Sequence, residues 1–165
     1  RGGVPDAANL ARCPVTAAAL QSVEMADIGG LCPNAMFSVL SPHTAIPPHH
    51  GETNARLVAH LPLIIPENCL YRVGFEQRRW QEGKVLVFDD TIEHEARNDS
   101  DLLRVVLIFD VWNPHITEVE RDMLRAFFRT ADASGFLVES PRPDGARPCH
   151  REPVWRRRRR VVRRL

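Results

Sequence analysis

Lysine is nearly absent: Lys84 is the only one among 22 basic residues. A purge this complete reflects the base composition of a GC-rich bacterial genome more than selection for arginine chemistry. Long apolar runs are missing too. None approaches the ~20 residues a membrane-crossing helix requires, so no transmembrane segment is expected in this chain. The four cysteines, Cys13, Cys32, Cys69 and Cys149, form no CxxC pair, which argues against a structural zinc site. They read as reduced thiols of a cytoplasmic protein, with a Cys13–Cys32 disulfide as the alternative. No Met stands at position 1 and no basic-then-apolar leader follows, so the chain reads as an excerpt whose upstream part is unseen. Nine glycines and 44% hydrophobic residues in 165 exclude collagen-like and fully disordered chains and leave one globular domain with a real core.

The formal net charge of +1 hides a division. Residues 141–165 carry ten arginines against Asp144 and Glu152; the remainder holds 12 basic and 19 acidic residues, a net of −7. The folded part is therefore acidic, and a nucleic-acid surface is not expected there. The division sets the domains: 1–140 folded, 141–165 an Arg/Pro-rich tail without apolar period, expected to be disordered.

Residues 8–22 suggest one short helix with Pro14 in its first turn. From Ala35 the texture changes to short β-branched or aromatic runs between turn residues: 36–40, 56–65, 70–75, 84–88, 93–97 and 103–112. That spacing predicts an antiparallel sandwich or barrel. Thr117-Glu-Val-Glu120 is a capping box that opens a helix to about Thr130, with Val119, Met123, Leu124, Phe127 and Phe128 on one face.

Three features are odd for a plain sandwich. His49 and His50 precede Gly51 and Glu52; His94 follows Asp89 and Asp90; and Arg104 alternates in phase with Val106 and Ile108 inside an apolar strand. A guanidinium facing a core needs an anionic partner. Asp89, Asp90 or Asp110 could supply it as a salt bridge, or an anionic ligand could, since the planar fork grips a carboxylate with two bonds. Two histidines flanking one sandwich with that arginine behind them point to a metal site, and neutral imidazole suits Fe(II), Zn(II) or Cu(II). His43 and His115 read as loop residues, and Trp112 as core.

The stretches Met36–Arg56, Trp80–Glu95 and Arg104–Pro114 together resemble the aspartyl/asparaginyl β-hydroxylase family, over about Asn9 to Met123. The resemblance implies a mainly β, double-stranded β-helix fold (jelly-roll, cupin-like) with flanking helices. It implies an Fe(II)- and 2-oxoglutarate-dependent dioxygenase consuming O2, which hydroxylates an unactivated carbon, foremost the β-carbon of Asp or Asn in a peptide or protein. His49 and His94 match the iron ligands. Arg104 and Ser38 match the pair holding the far carboxylate of 2-oxoglutarate, and His60 a histidine beside the co-substrate. Arg56 matches a basic residue of the substrate pocket.

Two positions depart from the common dioxygenase pattern. Gly51 stands where a His-x-Asp/Glu motif has its carboxylate. His50 and Glu52 form such a motif one residue later, and only one of the two registers can face the site. Val58 stands where the animal-type enzymes have a second arginine. Relatives in the family also act on lipid acyl chains or free amino acids. A cupin-like module that binds a small anion or metal without turnover, and an inactive truncated domain, are the competing readings. The partners expected are a peptide or small-molecule substrate; the sequence leaves the oligomeric state open.

Overall fold

The computed structural model describes residues 3–133 and the backbone of 161–164. Two short helices, α1 (Ala7–Arg12) and α2 (Pro14–Gln21), precede strands β1 (Ala35–Leu40), β2 (Thr44–His49), β3 (Arg56–Ile64), β4 (Cys69–Val73), β5 (Glu76–Arg78), β6 (Leu86–Phe88), β7 (His94–Asn98) and β8 (Arg104–Trp112); helix α3 (Glu118–Ala133) and strand β9 (Val161–Arg164) follow. The strands form two antiparallel sheets, ordered β6-β3-β8-β1-β9 and β2-β7-β4-β5. This is the jelly-roll, cupin-like architecture expected from the sequence, with helices flanking it.

Strand β8 is the axis. It pairs with β1 on one side and β3 on the other, with Leu40 opposite Arg104 and His60 opposite Ile108. Both of its faces are largely buried, and Arg104-Val-Val-Leu-Ile-Phe-Asp-Val-Trp112 accordingly reads as a nearly continuous apolar run. Val106 meets Cys69 and Trp80 between the sheets, joined by Tyr71, Ala96 and Ile108. Leu107 and Phe109 point the other way, toward Leu20 of α2 and Ala59 of β3. Trp112 joins Ala26, Ile28 and Ala55 under Leu124 and Phe128 of α3.

Several sequence expectations change in detail. The helix expected over 8–22 is broken: Cys13 separates α1 from α2, and Pro14, lacking an N–H, opens the second helix. The Cys13–Cys32 disulfide is absent, and Cys13, Cys32 and Cys69 are free thiols. The capping box forms: the Glu120 carboxylate accepts from the Thr117 amide at 2.7 Å, and the Thr117 hydroxyl accepts from the Glu120 amide at 3.4 Å. Of the apolar face of α3, Leu124 and Phe128 pack inward while Val119, Met123 and Phe127 are exposed. Within the tail, Val161–Arg164 pairs with β1 as an edge strand. The rest of the 141–165 expectation lies outside the described residues, and so does Cys149. No described helix is long and apolar enough to cross a membrane.

Asn98, fully buried at the end of β7, ties the two sheets together. Its amide donates to the carbonyls of Leu40, Ser41 and Leu102 at 3.1, 3.2 and 2.7 Å. Its carbonyl oxygen accepts from the amide and hydroxyl of Ser100 and from the Cys69 thiol. Asn98→Ala leaves these groups without their partner in a dry site. It should cost at least about 2 kcal/mol in urea unfolding; a loss under about 0.5 kcal/mol would show that Asn98 carries no such role.

Candidate active site

Strands β2 and β7 are neighbours in the smaller sheet, and their register sets His49 opposite His94 after an irregularity between Ile46 and His49. The two imidazole centroids lie 4.1 Å apart, with the rings tilted by 52°. Each ring is anchored the same way. His49 Nδ1 lies 2.8 Å from the Pro47 carbonyl, and His94 Nδ1 lies 2.9 Å from the Ile92 carbonyl. A carbonyl only accepts, so Nδ1 carries a proton in both rings and Nε2 is the nitrogen not used in these bonds. Burial holds the His94 pKa below the ordinary histidine value, and His49 beside it adds to the effect. Two imidazoles oriented through backbone carbonyls, with Nε2 left over in each, are nitrogen donors of the kind ferrous iron takes, so the residues present fit such a metal.

No carboxylate completes the pair from position 51. A Cβ built on Gly51 would fall 2.1–2.3 Å from the carboxylate atoms of Asp90, so a side chain at 51 would require Asp90 to leave its place beside Arg56. The Gly51 amide also donates to the Asp90 carbonyl at 2.6 Å. Among the described residues no cluster of three or more His, Cys, Asp or Glu side chains is placed to hold a metal. His50 and Glu52 lie beyond the end of β2, on exposed chain. The structure brings His49 together with His94 and leaves His50 and Glu52 outside that pair.

Behind the imidazoles a cavity of about 190 Å³ runs between the sheets, and Ser38, His60, Trp80 and Arg104 line it together with His49 and His94. This suits a small organic anion and falls short of a drug-sized ligand. Arg104 is 1% exposed. Its Nη1 donates to the Ser38 hydroxyl and to the Ser38 carbonyl, both at 3.2 Å, and its guanidinium lies over the Trp80 ring at 4.9 Å. Trp80 also donates from its indole nitrogen to His60 Nδ1 at 3.2 Å. The His60 proton therefore sits on Nε2. Burial, with Arg104 and His94 nearby, pushes the His60 pKa down to about 3.

The salt-bridge alternative for Arg104 resolves differently from the sequence expectation. Asp90 and Asp110 turn to Arg56 on β3, with Arg56 Nη1 2.9 Å from Asp90 and Nε 3.4 Å from Asp110. Asp110 also accepts from the Asn34 amide and side chain at 2.7 and 2.8 Å. Burial raises the Asp110 pKa, while Arg56 and Asn34 pull it back. Asp89 does local work: it accepts from the Thr91 amide and hydroxyl in a turn that ends β6. His43 is an exposed loop residue paired with Asp101, and His115 is a loop residue as expected. Sequence reasoning missed Trp80 and Asn34. Trp80 carried a faint signal, an indole beside a charged turn within the Trp80–Glu95 stretch; Asn34 carried none.

A model of the aspartyl/asparaginyl beta-hydroxylase family matches residues 1–114. Mouse aspartyl/asparaginyl beta-hydroxylase is 47% identical over 91 residues, 54% of this chain and 12% of that protein. Ornithine lipid ester-linked acyl 2-hydroxylase of Rhizobium tropici is 44% identical over 115 residues, 68% of this chain and 39% of that protein. Human aspartate beta-hydroxylase domain-containing protein 2 is 39% identical over 123 residues, 73% of this chain and 33% of that protein. The chain thus spans well under half the length of these relatives. Among solved structures, a cupin domain of a transcriptional regulator from Enterobacter cloacae overlays with a TM-score of 0.43 at 13% identity, covering 50% of this chain and 84% of that one.

The His60 ring should stay neutral from pH 8 to pH 5, its NMR shifts flat over that range. Its folded pKa lies below the ordinary 6.5. The stability it contributes is therefore present above about pH 6.5 and lost as pH falls toward 3. His60→Asn should lose less stability than the parent between pH 7 and pH 4 in urea titrations; equal losses would contradict a neutral buried ring.

Proposed function

The chain belongs to the aspartyl/asparaginyl β-hydroxylase family, and from that premise we propose that it is an Fe(II)- and 2-oxoglutarate-dependent dioxygenase hydroxylating an unactivated carbon. One observation carries the reading. Two imidazoles, His49 and His94, stand side by side at the mouth of a cavity lined by a buried arginine. Ferrous iron, when bound, supplies O2 activation: 2-oxoglutarate leaves as succinate and CO2 carrying one oxygen atom, and the other enters a substrate C–H bond as hydroxyl.

The chain's own residues bind and orient. His49 and His94 would hold the metal through Nε2, each ring fixed by its carbonyl bond. Arg104 and Ser38 would grip the far carboxylate of 2-oxoglutarate, with Trp80 holding the guanidinium plane from one side. His60, neutral and protonated on Nε2, would donate a hydrogen bond to the co-substrate without adding charge. With Gly51 in place of a carboxylate, two protein ligands leave more metal positions to solvent and co-substrate, so the metal should bind more weakly when 2-oxoglutarate is absent.

The family name points to the β-carbon of Asp or Asn, and the name of the Rhizobium relative points to a lipid acyl chain. Both are C–H hydroxylations at the same kind of centre. A cupin-like anion-binding module would show anion binding without turnover, so succinate is the discriminating product. With Fe(II), 2-oxoglutarate and ascorbate, succinate should accumulate slowly even without substrate. His94→Ala should abolish it. Arg104→Ala should raise the 2-oxoglutarate concentration required by more than tenfold, since loss of a charge-assisted pair costs about 2 kcal/mol. An unchanged requirement would remove Arg104 from the co-substrate site, and no succinate under any condition would favour the module.

A further inference from the structure

We infer that Arg72 is a positioning residue for His94: it holds the chain on both sides of that imidazole, and with it the carbonyl that orients the ring. This rests on the hydroxylase reading above and adds a residue to the same site.

His49 and His94 are oriented alike, each through a carbonyl two residues earlier, but the two carbonyls are held by different means. On the His49 side the carbonyl belongs to Pro47, and Pro48 follows it. Two pyrrolidine rings fix φ at both residues, so the chain that aims this imidazole is stiff by its covalent structure. On the His94 side the carbonyl belongs to Ile92, and Thr91-Ile92-Glu93 contains no proline. Ile92 and Glu93 also precede β7, which begins at His94. This segment has neither a stiff backbone nor a place in the strand, so it needs a hold from outside.

Arg72 supplies it. In the pairing of β4 with β7, Arg72 stands opposite Glu95 and Val73 opposite His94. All three guanidinium nitrogens are engaged, each by a different residue. Nε donates to Glu95 at 2.6 Å, Nη2 to Glu93 at 2.9 Å and Nη1 to the Gly74 carbonyl at 2.6 Å. Glu93 and Glu95 are the immediate neighbours of His94 in the chain. The backbone closes the same loop, because the Gly74 amide donates to the Glu93 carbonyl at 2.8 Å. The segment that carries the Ile92 carbonyl is thereby tied to the end of β4 at two points. A planar fork can span two carboxylates at once, which the single point charge of a lysine cannot.

Magnitudes decide what this arrangement is for. Glu93 and Glu95 are 47% and 37% exposed, and ion pairs at such a surface add little to stability. Orientation is a different matter. A metal at this site would take two protein nitrogens, so a His94 ring free to turn removes half of the protein's hold. Replacing a group that orients a ligand ring changes metal affinity by about ten- to a hundredfold. Arg72 should therefore matter little for unfolding and much for binding.

The test follows both rings in the metal-free full chain by long-range proton–nitrogen NMR at about pH 8, where an imidazole is neutral. In the parent both rings should show the form protonated on Nδ1. In Arg72→Gln the His94 ring should become a mixture of the two tautomers, while His49, aimed by Pro47, keeps its form. Glu93→Gln should do the same. Arg78→Gln, which breaks the exposed pair with Glu76 on β5, should change neither ring. Calorimetric titration with Co(II) alone should show binding weakened at least about tenfold in Arg72→Gln, and by less in Arg72→Lys, with urea midpoints close to the parent's. Unchanged His94 signals in Arg72→Gln would overturn the inference. So would a change of both rings together, or an equal loss of Co(II) binding in Arg78→Gln, since either marks a general loosening of the fold. A parent that binds no Co(II) and forms no succinate would instead count against the hydroxylase reading. The comparison of the two rings would then still decide for or against Arg72, so the two failures are distinct.

Discussion

Everything at this site depends on where two ring protons sit. His49 and His94 each spend their Nδ1 proton on a backbone carbonyl two residues earlier, at Pro47 and Ile92. That bond holds the ring, keeps a proton on Nδ1, and leaves Nε2 as the nitrogen each ring can turn to a metal. The register of β2 against β7 then sets the two rings side by side, tilted by 52°. Sheet hydrogen bonding thus brings the two rings together by itself, and preorganisation of this kind is what the proposed metal site, with few protein ligands, needs.

Two buried arginines divide the electrostatics. Arg56 balances Asp90 and Asp110 beside the imidazoles, while Arg104 faces the cavity from β8 with Ser38 and Trp80 around it. Both sit on strands of the larger sheet, yet their surroundings give them opposite tasks. Arg56 is held by carboxylates of the chain itself, which stabilises the walls. Toward the cavity Arg104 meets a hydroxyl and an indole, with the uncharged His60 imidazole nearby. The low pKa of His60 belongs to this scheme, because a second cation next to Arg104 would be doubly unfavourable.

Much of this was legible in the sequence. The period-two run of β8, the capping box at Thr117 and the turn residues fixed the fold class, since each is a local signal with a local cause. Arg104 stood out because a guanidinium is costly inside a sandwich, and His49 and His94 because two histidines flank that sandwich with Arg104 behind them. Strand β2 was not legible, because Pro47 and Pro48 break strand propensity. It survives as the edge of its sheet, where a missing N–H is tolerated. The break between α1 and α2 was hidden because Pro14 suits a first turn wherever that turn falls. The glycine at 51 could be seen to lack a carboxylate. That Asp90, 39 positions later, fills its space could not, nor could the choice of Arg56 by Asp90 and Asp110, because sequence spacing does not encode tertiary proximity.

The most direct test of the account is the visible charge-transfer absorption that arises when a 2-oxo acid chelates Fe(II), recorded without O2. The account predicts that the band appears on adding Fe(II) and 2-oxoglutarate to the full chain. It should vanish in His49→Ala, and it should persist in a His50→Ala, Glu52→Gln double variant. A band that survives loss of His49, or disappears with His50 and Glu52, would contradict the pairing of His49 with His94 on which the rest is built.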